Sequence, residues 1–237
     1  MIALLGVAPP LALAQGPVKA SSRTARIAKT IAADVKSMAS VDTFPLGLAA
    51  AAFAMTIWPY DAQITQHASS SPAWKDAFEG WARIGGQEWF LATTAIGTYA
   101  YGRMFDHPGF VAVGGDLIEA ESIAGVSTLA VKVAVHRTRP DGESRSFPSG
   151  HAAGTFAAAT VLQRHFGLKV GVPLYAAASL VSVARLQANS HYPTDIIVGA
   201  AIGILCGRAG TFDLASHRLR ISPSASPGSI GITGSIH

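Results

Sequence analysis

The chain has 237 residues, a length that suits one domain with a substantial core. Hydrophobic residues make up 49% of it and charged residues 14%, although alanine, a helix former of weak apolarity, supplies much of the apolar content. The net charge of +4 favours an anionic partner, but basic runs with interleaved aromatic residues are absent, which argues against nucleic acid. The single cysteine, Cys206, excludes a disulfide framework and a CxxC metal site.

The first 43 residues divide into an apolar leader and a polar, basic stretch. Residues 1–14 form an apolar run that ends in Ala12-Leu13-Ala14, an A-x-A-like cleavage pattern, and we expect a signal peptide or a short anchor there. The run lacks the positively charged start that a signal peptide normally carries. Residues 15–43 are polar and basic. Because of the apolar run and its cleavage pattern, we expect export to the periplasm or cell envelope.

Six apolar segments rich in alanine and glycine follow, and they predict an all-α fold. Scarce β-branched alternation and weak hairpin signals favour a helical bundle of about six core helices with the active site at one end. We expect this helical domain to cover 44–210 and a flexible, Ser/Gly/Pro-rich tail to cover 211–237. Within that tail a small edge strand at Ile230, Ile232 and Ile236 is the alternative. The six segments are 44–59, 88–103, 112–137, 150–165, 169–187 and 193–209.

Three short blocks contain the residues of chemical interest. They read Lys132-x6-Arg139-Pro140, Pro148-Ser149-Gly150-His151 and Arg185-x5-His191-x3-Asp195. One predicted helix runs out from His151 to a turn at 165–167, and the next returns to Arg185. Pro193 suits the first position of the last helix, which therefore starts beside His191. This order of helices predicts that the three blocks meet at one end of the bundle.

The residue types in the blocks suit the binding of a phosphate group. Lys132, Arg139 and Arg185 supply fixed positive charge, and the arginines present planar pairs of donors. Ser149 and Gly150 fall at a predicted helix start, where unpaired backbone N–H groups and the helix dipole favour an anion. Each block alone has an ordinary structural explanation, such as a capped helix or a solvated charge. The three in order predict a phosphate site.

Two histidines add the means to break a phosphate ester. His191 lies four residues before Asp195, so the carboxylate can hold one ring nitrogen and leave the other to attack phosphorus. His151 is placed to protonate the departing oxygen as a general acid. The two imidazoles must begin the reaction in opposite protonation states, which different neighbours can arrange.

In order and spacing the blocks resemble the phosphatidic acid phosphatase type 2 superfamily, which includes bacterial acid phosphatases, lipid phosphatases and vanadium haloperoxidases. The resemblance implies a hydrolase of phosphate esters that needs neither a metal nor another cofactor. His191 would form a phosphohistidine, Asp195 would orient it and His151 would be the general acid. The phosphate would be bound by Lys132, Arg139, Ser149, Gly150 and Arg185.

Two features depart from the family pattern. Ala184 precedes Arg185 where the family usually has serine, so one hydroxyl that would bond phosphate is missing. The loop from Asp141 to Phe147 is short for the family. A short loop leaves little room for a lid and favours an open pocket mouth.

Other polar residues near the blocks receive lesser roles. His136, Arg137 and Arg145 lie close to the blocks in sequence and could widen the positive field of the site, but we do not expect them to touch the substrate. The carboxylates between Asp116 and Glu121 are expected to cap or solvate the start of a helix rather than to bind a metal.

The sequence leaves the substrate and the relation to the membrane open. The leading hypothesis is a metal-independent phosphatase of phosphate esters, whose substrate is a phosphorylated small molecule or lipid. The main alternative is a membrane lipid phosphatase or polyprenyl diphosphatase. A vanadium-dependent haloperoxidase and a non-catalytic phosphate binder are further alternatives. Uncharged runs of about 12–16 residues are short for a membrane span of about 20, whereas cations at the end opposite the site follow the positive-inside tendency. We prefer a soluble or peripheral exported enzyme over an integral membrane protein.

Overall fold

The computed structural model describes residues 44–72, 88–213, 220–226 and 229–235, so the expected leader and basic stretch lie outside the described residues. A 3₁₀ turn, Trp58–Tyr60, joins the first two helices. The helices are α1 (Phe44–Ile57), α2 (Asp61–Ser70), α3 (Glu88–Met104), α4 (Pro108–Val135), α5 (Gly150–Phe166), α6 (Leu168–Gln187) and α7 (Pro193–Asp213).

The predicted all-α bundle is confirmed. Every described helix except α2 coincides, within a few residues at each end, with one of the six predicted segments. Helix α2 was not predicted because its sequence, DAQITQHASS, is polar and has no continuous apolar stripe. It nevertheless buries three side chains, those of Asp61, Thr65 and Ala68.

Small residues let α7 lie very close to α5. A Cβ atom at Gly203 would collide with the carbonyl oxygen of Ala153, and one at Gly207 would come within 2.6 Å of Thr160 Cβ. The same face of α7 passes Ser149, because a Cβ at Gly199 would meet the Ser149 carbonyl. The close approach places the beginnings of α5 and α7 side by side.

Tight turns fix the order of the other helices. Gly167 has a φ of +80°, in the left-handed region that favours glycine, and its N–H donates to the Gln163 carbonyl (2.7 Å). This turn ends α5 and begins α6 at the end of the bundle opposite the blocks. The core between α3, α4, α5 and α7 is built mainly of alanine, with Leu117, Ile123 and Val161 as its larger members.

A two-stranded antiparallel hairpin follows the bundle. Strand β1 (Arg220–Ser226) pairs with β2 (Ser229–Ser235), with Arg220 opposite Ser235 and Ser226 opposite Ser229. The alternative strand at Ile230 and Ile232 is thus present, and Ile236 lies outside the described residues. The domain bounds 44–210 and 211–237 stay predictions, and α7 itself continues to Asp213.

Large apolar side chains cover much of the outside of the bundle. Met55 is 77% exposed, Met104 76% and Leu168 69%. Within the described ranges, α6 is the helix that is long and apolar enough to cross a membrane. The preference for a soluble enzyme therefore finds no support, because it was drawn from runs between charges and took no account of which side chains face outward.

Candidate active site

The three blocks converge at one end of the bundle. The backbone N–H of Ser149 donates to the Asp195 carbonyl (2.9 Å), which joins the start of α5 to the start of α7. Arg185, near the end of α6, places its Nη1 atom 3.4 Å from Nε2 of His151. Lys132, near the end of α4, donates from Nζ to the Arg145 carbonyl (2.9 Å). All the candidate site residues thus lie on helix ends and loops that meet.

Ser149 caps the helix whose start was predicted to receive the anion. Its backbone is extended (φ −73°, ψ 115°), and its side-chain oxygen accepts from the Ala152 N–H (3.4 Å). Its side chain is fully buried, so it is fixed in place. The remaining N–H groups of the first turn, at Gly150 and His151, have no partner within the helix.

His191 lies in the turn between α6 and α7 and is only 2% exposed. Its Nδ1 atom is 3.5 Å from Oδ2 of Asp195, at the outer limit of hydrogen bonding. Nδ1 has no closer hydrogen-bond partner in the described part of the chain. The carboxylate therefore faces Nδ1, and Nε2 is the nitrogen left to meet a substrate.

Asp195 is held by several donors and is fully buried. Oδ2 accepts from the Tyr192 N–H (2.8 Å) and from the Ser146 hydroxyl, and Oδ1 accepts from Nη1 of Arg137 (2.8 Å). Burial alone would raise the pKa of this carboxyl. The interactions with His191, Ser146, the Tyr192 backbone and the Arg137 charge prevail and hold the pKa below its usual value.

Both histidines of the site are disposed to be neutral near pH 7. Burial, together with the charges of Arg185, His191, Arg139 and Lys132, lowers the pKa of His151 to about 4. Burial also lowers the pKa of His191, although Asp195 opposes that shift. The 3.4 Å contact from Arg185 to His151 agrees with this state, since the guanidinium donates and the ring nitrogen must accept.

Arg139 has an exposed partner that a phosphate can displace. Nη1 of Arg139 pairs with Oε2 of Glu143 (2.8 Å), whose side chain is 70% exposed. Such a solvated pair contributes at most about 1 kcal/mol. A bound phosphate would therefore compete with Glu143 for Arg139 at little cost.

The structure reveals a role for Arg137 that the sequence analysis missed. We expected this residue to widen the positive field, but its guanidinium donates to Asp195 on one side and to Asp61 on the other. His136 and Arg145 are exposed, and what Arg145 contributes is its carbonyl, to Lys132. In the sequence, only the position of Arg137 two residues before Arg139 could have suggested its importance. Nothing in the sequence marks Asp61.

The expectation for the carboxylates of α4 is wrong. The helix begins at Pro108, so Asp116 and Glu121 lie inside it rather than at its start. Oδ2 of Asp116 lies 2.7 Å from Nε2 of His165, far from the blocks, and Glu121 lines a groove. No group of three or more His, Cys, Asp or Glu side chains that could hold a metal ion occurs among the described residues.

That groove leads away from the site and is mainly apolar. It has a volume of about 440 Å³ and lies between α3, α4 and α5, with Lys132 and Gly150 among its lining residues. Residues 118, 121, 125, 128 and 132 recur three or four positions apart, so they form one face of α4. The rest of its wall includes Leu91, Ala95, Ile96 and Leu129. The groove is thus continuous with the place where a phosphate would bind.

Residues 109–214, which include all three blocks, match the sequence model of the PAP2 superfamily. The resemblance predicted from the blocks is confirmed for this part of the chain.

Among curated proteins, the chain is similar to lipid A 1-phosphatase of Porphyromonas gingivalis, with 38% identity over 38% of this chain and 21% of that protein. It is also similar to decaprenylphosphoryl-5-phosphoribose phosphatase of Mycobacterium tuberculosis, with 35% identity over 36% of this chain and 52% of that protein. The match spans between a fifth and about half of the length of these relatives.

Two solved structures share the fold. A crystal structure of Aquifex aeolicus LpxE matches with a TM-score of 0.54 and 26% identity, over 64% of this chain and 94% of that chain. A transmembrane PAP2 type phosphatidylglycerolphosphate phosphatase from Bacillus subtilis matches with a TM-score of 0.62 and 23% identity. This second match covers 75% of our chain and 98% of that one.

Proposed function

We propose that the protein is a phosphatase that releases phosphate from a membrane lipid through a phosphohistidine formed on His191, without a metal. The observation that carries this proposal is the buried His191–Asp195 pair, which lies at the meeting point of Lys132, Arg139 and Arg185. Cations alone would suffice to bind a phosphate. A buried imidazole whose Nδ1 faces a carboxylate is the arrangement that nucleophilic attack requires.

In the first step, Nε2 of His191 attacks phosphorus, and the bond between phosphorus and the ester oxygen breaks. The leaving oxygen takes a proton from His151 and departs as an alcohol. In the second step, water gives its proton to His151 and attacks phosphorus, which breaks the P–N bond and restores His191. Lys132, Arg139, Arg185 and the N–H groups at the start of α5 stabilise the negative charge on the phosphoryl oxygens.

Substrate binding supplies the protonation state that the free protein lacks. The pKa of His151 is about 4 because of burial and because of the cations around it. A phosphate ester carries up to two negative charges and offsets those cations, so its arrival raises the pKa of His151. A substrate that binds with one proton can pass that proton to His151.

Three observations support a lipid substrate over a soluble one. The apolar groove begins at Lys132 and Gly150 and offers space for a hydrocarbon chain. Large apolar side chains are exposed along the bundle, and α6 is a candidate membrane span. The curated relatives include phosphatases whose names refer to lipid A and to a decaprenyl lipid. We therefore place the bundle in or against a membrane.

The distribution of charge supports a site on the outer side of that membrane. Basic residues gather at the end of the bundle opposite the three blocks, and such residues favour the cytoplasmic side. They are Arg103, Arg164, Lys169 and Arg208.

Phosphate release from the purified full chain in detergent tests the proposal. The substrates are a phosphatidate, a polyprenyl diphosphate and p-nitrophenyl phosphate, each with and without EDTA. We expect a lipid substrate to be preferred, EDTA to have no effect, vanadate to inhibit, and His191→Ala to abolish turnover. The control is His67→Ala, an exposed histidine on α2, which should retain full activity.

Other outcomes would contradict the proposal. Loss of activity in EDTA would refute metal independence. A preference for p-nitrophenyl phosphate over both lipids would restore the soluble alternative. Halide oxidation with added vanadate would indicate a haloperoxidase, and phosphate binding without turnover a non-catalytic binder.

A further inference from the structure

Arg137 stands at the centre of a buried cluster that begins outside the segment matched by the superfamily. Its Nη1 atom donates to Oδ1 of Asp195 and to the Thr194 hydroxyl, both at 2.8 Å. Its Nη2 atom donates to Oδ2 of Asp61 at 2.7 Å. One guanidinium thus joins the short helix α2 to the carboxylate that faces His191.

Two aromatic rings fix the plane of that guanidinium. The carbon of the Arg137 guanidinium lies 4.2 Å from the centre of the Trp58 ring and 4.0 Å from the centre of the Tyr192 ring. Contacts of this kind are attractive, because the face of an aromatic ring carries partial negative charge. Trp58 belongs to the 3₁₀ turn before α2, and Tyr192 directly follows His191. The packing therefore holds Arg137 in a single orientation.

Asp61 is positioned as the second acceptor of the cluster. It is 3% exposed and is the first residue of α2, where the helix dipole favours a negative charge. Besides Arg137, it accepts from the backbone N–H of Thr194 (3.1 Å) and from the Thr194 hydroxyl. A carboxylate with this many donors is satisfied as an anion although it is buried.

The net charge of the cluster determines the electric field that acts on the imidazole of His191. Asp61 and Asp195 each carry one negative charge and Arg137 carries one positive charge, so the cluster has a net charge of −1. Without Asp61, Arg137 would cancel the field that Asp195 exerts on the imidazole. Asp61 thus neutralises the charge of Arg137, so the negative charge of Asp195 still acts on the imidazole of His191.

We propose that Asp61, Arg137 and Trp58 form a positioning and charge-balancing clamp that keeps Asp195 in place and sustains the basicity of His191. None of the three is a catalytic residue in this account, because each acts through Asp195. The inference rests on the proposed function of His191 as the nucleophile. It assigns a task to α2 and the turn before it, which lie outside the residues matched by the superfamily.

Other charged groups around His191 also influence its pKa, and some of them oppose the clamp. Burial lowers the pKa of His191 most, Lys132 from α4 and Arg139 from the following loop lower it further, and His151 from α5 also faces it. Asp195 from α7 is the group that raises it. Weakening the negative cluster therefore leaves burial and the cations less strongly opposed, so the pKa of His191 must fall.

The test follows the titration of His191 by NMR in the full chain labelled with ¹⁵N-histidine, in detergent micelles. The signal is assigned by its loss in His191→Ala. Asp61→Asn removes one negative charge and should move the His191 titration to lower pH. Arg137→Gln removes one positive charge and should move it to higher pH. The double variant has the net charge of the wild type and should titrate close to it.

Kinetics give an independent readout. Asp61→Asn should lower kcat about tenfold with KM changed less than about twofold, because the nucleophile is less basic while phosphate binding is untouched. Arg137→Gln should also lower kcat, although it raises the pKa of His191, because Asp195 loses the donor that positions it. Arg137→Lys should not restore that loss, since one ammonium cannot reproduce the two-sided donation. The matched control is Asp116→Asn, a buried carboxylate paired with His165 at the other end of the bundle, which should leave the His191 titration unchanged.

The clamp would be overturned if the His191 titration moved in the same direction in Asp61→Asn and Arg137→Gln. It would also be overturned if the titration moved in neither variant. Loss of the fold would move both titrations in the same direction, because the pKa of His191 in each variant would rise toward that of an ordinary histidine. If Arg137→Gln does not fold, the isosteric Asp61→Asn still decides through the sign of its shift. Absence of turnover in the wild type would refute the proposed function instead, and the NMR titration would still test the clamp.

Discussion

His151 and His191 have different neighbours, and the difference fits two different tasks. His191 faces the carboxylate of Asp195, which opposes the fall of its pKa. His151 is buried and faces the guanidinium of Arg185 without such support, and burial together with the surrounding cations lowers its pKa to about 4. A nucleophile must be neutral and a general acid must lose its proton readily, and these surroundings favour that division.

Substitution of His151 should lower kcat more for substrates whose leaving group needs a proton than for those whose leaving group does not. An alkoxide needs a proton as it departs, whereas p-nitrophenolate leaves without one. We expect His151→Ala to lower kcat by about 10²–10⁴ for a lipid phosphate and by far less for p-nitrophenyl phosphate. Steady-state kinetics with both substrates measure the difference. Equal losses would show that His151 binds phosphate rather than donating a proton.

The depressed pKa of His151 also predicts the pH dependence. The general acid must be protonated at the start, and a pKa lowered to about 4 means that this form declines as pH rises. The kcat/KM of the wild type should therefore fall toward alkaline pH, and His151→Ala should remove that limb of the profile. A kcat/KM that rises between about pH 5 and pH 8 would contradict the assignment.

How much of the site could be predicted differs from residue to residue. Lys132, His151 and His191 belong to short blocks with fixed spacing, so the sequence indicated them together with their neighbours. Asp61 is separated from Asp195 by more than 130 residues, and its helix has no amphipathic pattern. Only the three-dimensional packing brings it to Arg137, so sequence reasoning could not find it.

At the scale of elements, lipid and soluble substrates should differ in their dependence on the groove along α4. Gly125 lies on the groove face between Glu121 and Lys132, and a Cβ there would have no atom within 4 Å. We expect Gly125→Phe to fill the groove without disturbing the fold. KM for a long-chain lipid phosphate should rise at least about tenfold, since each buried CH₂ contributes about 0.8 kcal/mol.

The matched control for the groove is Gly109→Phe, at the other end of α4, where a Cβ also meets nothing within 4 Å. It should leave both substrates unaffected. In Gly125→Phe itself, activity on p-nitrophenyl phosphate should be retained. An equal loss on both substrates would mean that the groove does not hold the lipid chain.

The contact of α7 with α5 is the element pair that brings the site together. A methyl group at Gly203 would collide with the Ala153 carbonyl, so Gly203→Ala must push the two helices apart. We expect a loss of about 1–3 kcal/mol in the free energy of unfolding, seen as a lower Tm, together with reduced kcat. Gly109→Ala, in open space, should be neutral or slightly stabilising. An unchanged Tm in Gly203→Ala would contradict the described packing.

The positions of the long helices could be predicted because each is a continuous apolar segment bounded by glycine, proline or charged residues. Their outward faces could not be predicted in the same way. The runs between charges suggested short helices for a membrane, yet α4 spans 28 residues and includes Asp116 and Glu121. Charged residues inside a helix are compatible with an apolar surrounding when they face a partner such as His165 or a groove.

At the scale of the whole molecule, the helical bundle has one end that contains the three blocks and a flank that is apolar. The reactive end is assembled from the ends of α4, α5, α6 and α7. The groove connects that end with the flank, so a lipid can keep its chain among apolar side chains while its phosphate meets His191. The proposed chemistry and the proposed membrane location then follow from the same arrangement of helices.

The central claim is that a phosphoryl group is transferred to His191. The most direct measurement is to mix the protein with a ³²P-labelled phosphatidate, quench rapidly in alkali and locate the label by mass spectrometry. The account predicts an alkali-stable, acid-labile phosphoryl group on His191, formed in the wild type and absent from His191→Ala. Label on a different residue, or full turnover by His191→Ala, would contradict it.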